Sequence, residues 1–228
     1  MKICLLDNTE FAYSYEDKYS DKLRGAETVL INLYQELTKI GHDVYVFNNC
    51  SDKIHNNQSK WYNLNTLKFH SEIFFDIAFA NADVNLFNKI SSNKKFIISY
   101  SLQTLEKFIR KKQFFSYLKH KPKVFVLGDY HKNKRSWITS IFGVGILELA
   151  VDEIFINTEL TNNIDKNLAI FTSRPDRNLS ILIDIWNNYI HKSSNDFKLL
   201  VTPGLIDVEH NNIIERELGS QQKLIDDL

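Results

Sequence analysis

Arg24-Gly25-Ala26-Glu27, heading an apolar-periodic run that closes at Gly41-His42-Asp43-Val44, is the stretch that decides the fold. A short apolar strand, Ile3 to Leu6, precedes it, and a second, Val44 to Phe47, follows. Strand, loop, helix and strand in that order open a parallel α/β sheet. The spacing predicts a helix over Ala26 to Ile40, with Val29, Leu30, Leu33, Leu37 and Ile40 on one face. Gly41 stands where a C′ glycine ends a helix. Gly25 reads as the residue that lets the chain turn tightly into the helix. The unpaired N–H groups and the positive end of the helix dipole then face the loop crevice, as in an anion site.

The same alternation continues. Ile77 to Phe79, Phe96 to Ser99, Val124 to Leu127 and Ile146 to Leu149 read as further strands. Leu102 to Leu118 and Tyr130 to Ile141 read as helices between them. The implied fold class is α/β, a Rossmann-like doubly wound parallel sheet built from right-handed βαβ units. Asn48 to Asn65 is rich in Asn and Ser and reads as loop or weak edge structure. Asp7 to Leu23, about 17 residues with four aromatics, is long for a connection and reads as a binding loop or lid. The pattern restarts after a polar linker, Asp152 to Asp165. Leu168 to Thr172 is a strand, Leu179 to Ile190 a helix and Phe197 to Val201 a strand, and Ile213 to Leu228 has helical character. Two domains are expected, 1–155 and the beginning of a second Rossmann-like domain over 156–228.

Composition sets outer limits. Across 228 residues, 43% are hydrophobic and 25% charged, which suits a folded globular chain. Lys plus Arg and Asp plus Glu each number 28, a balance that argues against a dedicated nucleic-acid binder. No apolar run approaches the ~18 residues of a membrane span. Cys4 and Cys50 have no metal-ligand spacing and read as free thiols of a reducing, cytoplasmic compartment.

Five places could carry chemistry. At Gly25-Ala26-Glu27 the helix start could receive phosphate. Alternatively Gly25 is a turn residue and Glu27 an acid favoured by the dipole. In Ser173-Arg174-Pro175-Asp176-Arg177-Asn178, between a strand and a helix, two arginines three apart could fork towards one diphosphate, or be solvated surface charges. Tyr100, Ser101 and Gln103 follow a strand and could bind sugar hydroxyls, while Ser101 also fits a helix cap. His131 follows the next strand; a lone histidine is more often structural than catalytic. Finally Lys107, Arg110, Lys111 and Lys112, with Lys119, Lys121 and Lys123, surround Phe108, Phe114, Phe115 and Tyr117 against the single acid Glu106. That surface could meet anionic lipid headgroups, or be a solvated helix face over an aromatic core stripe.

Taken together, these segments resemble family 4 glycosyltransferases of the GT-B fold. The matching residues are Arg24-Gly25-Ala26-Glu27, then Gly41-His42-Asp43-Val44-Tyr45-Val46, then Leu149-Ala150-Val151-Asp152-Glu153-Ile154-Phe155 as the link between domains. The last is Phe171-Thr172-Ser173-Arg174-Pro175-Asp176-Arg177-Asn178-Leu179, as the opening of the donor domain. The resemblance implies transfer of a sugar from a nucleotide-sugar donor to a sugar or lipid acceptor, with retention, in capsule, lipopolysaccharide or glycolipid assembly. It implies Arg174 and Arg177 as the catalytic pair on the diphosphate, Gly25, Ala26 and Glu27 as the loop approaching the same phosphates, and Tyr100, Ser101, Gln103 and His131 on the acceptor side. No cofactor and no essential metal are expected. The first loop carries Arg24 where many members have a second glycine, and Tyr100 or Ser101 where many have histidine. The glutamate pair seven apart that holds the donor would lie past Leu228. The chain is therefore expected to be cut within its donor domain, inactive alone and prone to self-association through that domain. Its expected place is the cytoplasm, at the inner face of the membrane. A non-catalytic nucleotide or sugar-phosphate binding module and a peripheral membrane domain are the alternatives.

Overall fold

A computed structural model describes residues 1–20, 23–51, 59–102, 104–151, 156–157, 164–172, 178–194 and 196–201. The chain divides into two units, Met1–Val151 and Asp152–Leu228.

The first unit is a seven-stranded, wholly parallel sheet. Its strands are β1 (Lys2–Leu6), β2 (Asp43–Asn48), β3 (Trp61–Asn63), β4 (Phe74–Asn81), β5 (Ser91–Ser99), β6 (Lys123–Val126) and β7 (Val144–Ile146). Their order across the sheet is β3-β2-β1-β4-β5-β6-β7. The order reverses between β1 and β4, the Rossmann-like arrangement with one switch point. In that pair Leu5 lies opposite Phe79 and Leu6 opposite Ala80.

The residues of β1 explain why both faces are covered. Ile3, Cys4, Leu5 and Leu6 are all buried, a continuous apolar run of the kind a central parallel strand needs. Successive side chains point to opposite faces, so Ile3 and Leu5 join one core cluster while Cys4 and Leu6 join the other. Helix α1 (Gly25–Lys39) covers the first cluster with Leu30, Ile31 and Tyr34. Helices α2 (Leu105–Arg110) and α3 (Phe114–His120) cover the second with Phe108 and Tyr117, whose rings meet edge to face at 5.2 Å. Cys4 and Cys50 are buried thiols rather than disulfide sulfurs.

Several elements differ from the sequence reading. The expected single helix Leu102 to Leu118 is two, because Lys112 takes a left-handed conformation at φ 54° and separates α2 from α3. Thr104, not Ser101, caps α2, accepting from the Lys107 N–H at 3.2 Å. The helix expected over Tyr130 to Ile141 is only α4 (Asp129–Asn133) and a 3-10 turn, Trp137–Thr139. The polar stretch after β2 does hold the weak edge structure that was one of its two readings, Trp61–Asn63 forming the edge strand β3. The buried stripe of α1 is Glu27, Leu30, Ile31 and Tyr34, and Ile40 is exposed. Tyr34 goes inside because its OH reaches the Ser59 carbonyl at 2.5 Å.

The loop after β1 is anchored rather than lid-like. Tyr13 and Ser14 are buried, and Ser14 with Asp17 forms a capping box on the 3-10 turn Tyr15–Asp17. Asn48, fully buried at the end of β2, donates to the Tyr13 carbonyl at 2.8 Å and accepts from the Trp61 indole N–H at 2.8 Å.

In the second unit β8 (Leu168–Phe171) and β9 (Lys198–Val201) pair in parallel. Helix α5 (Leu179–Ile185) follows β8 in the chain and continues into a π-helical turn, Trp186–Ile190. Ile170, Ile181, Tyr189 and Leu200 are exposed in this unit. The expected helix over Ile213 to Leu228 lies outside the described residues. No helix among the described residues is long and apolar enough to cross a membrane.

Gly41 behaves as the sequence reading has it. It lies at φ 88° just past α1, and a Cβ added there would meet nothing within 4 Å. Any loss on substitution therefore comes from backbone strain alone. Gly41→Ala should cost about 1 kcal/mol, lowering the thermal midpoint by roughly 2–4 °C; calorimetry of the two proteins checks this.

Candidate functional site

The strand order reverses between β1 and β4, and open α/β sheets bind their ligands at the carboxyl ends of strands at such a switch point. Asp7 leaves β1 there and Asn81 ends β4, side by side because the strands pair in register. Asp7 is only 2% exposed, and a carboxylate so buried needs donors. It has them. Tyr13 OH donates to Oδ2 at 2.5 Å, Asn81 Nδ2 to Oδ1 at 3.2 Å, and the Thr9 N–H to Oδ1 at 3.3 Å. Asp7 N–H itself donates to the Phe47 carbonyl, tying the strand end to β2.

Helix α1 begins beside this group. Its N-cap residue, Arg24, is extended and supplies no side-chain cap. Instead Glu27 turns its carboxyl inward and is 3% exposed. Thr9 Oγ1 lies 3.2 Å from Glu27 Oε1 and 3.1 Å from Asp7 Oδ1. The single hydroxyl proton of Thr9 serves one of them at a time. Both contacts are satisfied together when Thr9 donates to Asp7 and a protonated Glu27 donates to Thr9. Burial raises the Glu27 pKa, and the charge on Asp7 adds to the rise, against its own backbone N–H, Thr9 and Arg24. The helix end that the sequence offers to phosphate thus holds a protein carboxyl.

Gly25, Asn8 and Tyr100 adjoin these residues. Gly25 has an ordinary helical start and no left-handed φ, so the tight turn expected of it is not what the site requires. A Cβ there would meet nothing within 4 Å. Asn8 Nδ2 donates to Asp83 at 2.7 Å. Tyr100, from the end of β5, brings its OH to 3.5 Å from the Ala26 carbonyl. Burial, then Asp7 and Glu27, raise the Tyr100 pKa, so the phenol stays a donor. Burial and Asp7 do the same for Tyr13.

Of the residues singled out from the sequence, the structure brings Gly25, Ala26, Glu27 and Tyr100 together. Ser101 Oγ accepts from Lys107 Nζ at 2.6 Å, joining the acceptor-side segment to the basic helix. His131 is on α4, at the carboxyl end of β6, with Nε2 shielded from solvent and no hydrogen-bond partner. Gln103, Arg174 and Arg177 lie outside the described residues. Asp7, Thr9, Tyr13 and Asn81 were not singled out. Their signal was available: a polar residue directly after an apolar strand of a parallel sheet stands where ligands bind. Among the described residues no group of three or more His, Cys, Asp or Glu is placed to hold a metal ion.

The basic segment forms a second surface. Phe108 and Tyr117 face the core, while Ile109 is 58% and Phe115 81% exposed. Arg110, Lys111, Lys112 and Lys119 are exposed around them. Burial lowers the Lys107 pKa, and the charges of Lys111 and Arg110 lower it further, the mark of uncompensated positive charge. Burial with Lys95 and Lys119 pushes His120 down to about 4, leaving it neutral.

No protein-family model matches the chain, and no curated protein is significantly similar to it.

The raised pKa of Glu27 has a thermodynamic sign. Between its ordinary value of 4.5 and the higher folded value, the folded state holds a proton that the unfolded chain has released. Stability therefore falls as pH rises through that window. Glu27→Gln keeps the Thr9 contact without the burial cost of charge. It should raise the thermal midpoint at pH 7 by roughly 2–4 °C, the shift that about 1 kcal/mol produces, and the gain should vanish towards pH 4.5. Thermal melts of both proteins across that range test it.

Proposed function

We propose that this chain belongs to a glycosyltransferase that moves a sugar from a nucleotide-sugar donor to a hydroxyl-bearing acceptor, probed on its acceptor side by residues Met1–Val151. The observation that carries the reading is the polar cluster of Asp7, Glu27, Asn81 and Tyr100 at the switch point of a sheet of Rossmann-like order. Polar groups converging at the carboxyl ends of parallel strands suit a substrate with several hydroxyls. The GT-B resemblance of the Arg24–Glu27 and Phe171–Leu179 segments supplies the reaction class. In that reading Arg174 and Arg177 bind the diphosphate and stabilise the charge that grows on it as the glycosidic bond breaks, with retention at the anomeric carbon and without an essential metal.

Titration of the full chain with nucleoside diphosphates tests this. Binding should weaken about tenfold or more in Arg174→Ala and again in Arg177→Ala, since each removes a charge-assisted hydrogen bond of about 1.5–3 kcal/mol. Wild-type protein that binds none of them would end the proposal. Binding with no sugar transfer from any nucleotide-sugar would instead favour a non-catalytic nucleotide-binding module.

A second reading concerns location, and Phe115 favours it. A segment that exposes Phe115 (81%) and Ile109 together with Arg110, Lys111 and Lys112 has the composition of a surface that meets anionic lipid. Each basic residue near such a surface contributes about 1 kcal/mol. Replacing Arg110, Lys111 and Lys112 by alanine should weaken binding to phosphatidylglycerol vesicles roughly 100-fold, and raised salt should weaken the wild type. Sedimentation that is indifferent to both changes would remove this reading.

A further inference from the structure

A groove of about 350 Å³ is lined by Leu64, Asn65, Leu67, Lys68 and Lys89. The first four belong to the 3-10 helix Leu64–His70, between β3 and β4. Lys89 ends a second 3-10 helix, Val84–Lys89, between β4 and β5. Leu64 and Leu67 are buried members of the core cluster that α2 and α3 cover, so they give the groove an apolar floor. Its polar lining is one amide and two ammonium groups, with no acid. Lys68 and Lys89 form no ion pair with any described residue, Glu72 included. Lys68 Nζ stands 5.0 Å from the Phe69 ring centroid. The surroundings are positive too. From Lys60 to Arg135 the chain carries fifteen Lys and Arg against five Asp and Glu. Asn88, next to Lys89, holds Lys119 Nζ at 3.1 Å and the His120 ring at 2.9 Å on one oxygen.

We propose that this groove binds a small organic phosphomonoester, its compact apolar body on Leu64 and Leu67 and its phosphate held by Lys68 and Lys89. Small-molecule sites occupy roughly 300–1,000 Å³ and combine apolar walls with a few placed polar groups, and the groove has that size and make-up. The charge selects the head. Two ammonium groups match a phosphomonoester, which carries about −1.5 to −2 near pH 7. A carboxylate would neutralise only one of them. The Asn65 amide adds a neutral N–H donor to the same lining. The floor selects the body, because inorganic phosphate would leave both leucines wet and forgo the gain from covering them. A cation of the same shape would meet two like charges. The groove shares no residue with the polar cluster of Asp7, Glu27, Asn81 and Tyr100, and nothing in this inference rests on the sugar-transfer reading.

The test uses the full 228-residue chain and amide-resolved NMR titrations with three probes: phenyl phosphate, inorganic phosphate and benzylamine. Phenyl phosphate should shift the Asn65, Leu67, Lys68 and Lys89 amides of the wild type. Inorganic phosphate should bind there about tenfold or more weakly, since it covers no apolar surface, and benzylamine should leave those amides unmoved. Lys68→Ala and Lys89→Ala should each weaken phenyl phosphate about fivefold. Both lysines are exposed, so both variants should keep the fold, which the unchanged spectrum of the remaining amides checks. Raised salt should weaken phenyl phosphate as well. The proposal fails if phenyl phosphate moves none of the four amides, or moves only those of Arg110 to Lys112. It also fails if both variants bind as the wild type does. Inorganic phosphate or benzylamine binding as tightly as phenyl phosphate would overturn it too, the first by making the floor irrelevant and the second by making the charge irrelevant.

Discussion

The buried carboxylate of Asp7 is the constraint on which the rest of the first unit turns. Removing such a group from water costs several kcal/mol unless donors surround it, and its donors come from two separate segments: Tyr13 and Thr9 in the loop after β1, and Asn81 at the end of β4. Meeting that demand draws the loop down onto the sheet. Once Tyr13 is seated, its carbonyl is held by Asn48, and Asn48 in turn holds the indole of Trp61 on the edge strand. A polar chain therefore runs from the switch point to the sheet edge, each member satisfied by the next.

That chain explains why a connection long enough to be a lid is an anchored wall. Tyr13, Tyr15, Tyr34 and Trp61 pack ring against ring at centroid distances of 5.1 to 6.3 Å, so the loop contributes to the core on the α1 side of the sheet. A loop anchored this way holds Asp7 and Thr9 in one arrangement, and preorganised groups of that kind lose less entropy on binding. It also fixes Thr9 between two carboxyls, where one hydroxyl proton couples the charge of Asp7 to the protonation of Glu27.

Much of the fold was legible because parallel strands buried on both faces must be apolar throughout. Ile3 to Leu6, Val44 to Phe47 and Phe96 to Ser99 announce themselves that way. The edge strand Trp61–Asn63 was legible only as one of two readings, loop or weak edge structure, since three residues with polar neighbours carry no period. The break at Lys112 was hidden, because a lysine in left-handed conformation has no local signature comparable to glycine's. In the candidate site, Glu27 and Tyr100 were visible as strand-end and helix-start residues. The direction in which Glu27 points was not, for an acid in the first turn of a helix is equally at home in solvent.

From the residues alone followed the succession of strands and helices, the parallel sheet and the crowding of basic side chains between Lys107 and Lys123, since each is a property of neighbours along the chain. What only the tertiary structure decided is which distant residues meet. Asp7 and Asn81 are 74 positions apart, yet the crossover that sets β4 beside β1 makes them adjacent, and Thr9 ties Glu27 of α1 to Asp7. That adjacency is set by strand register and by the burial of the apolar residues behind it, and neither is written in any single segment.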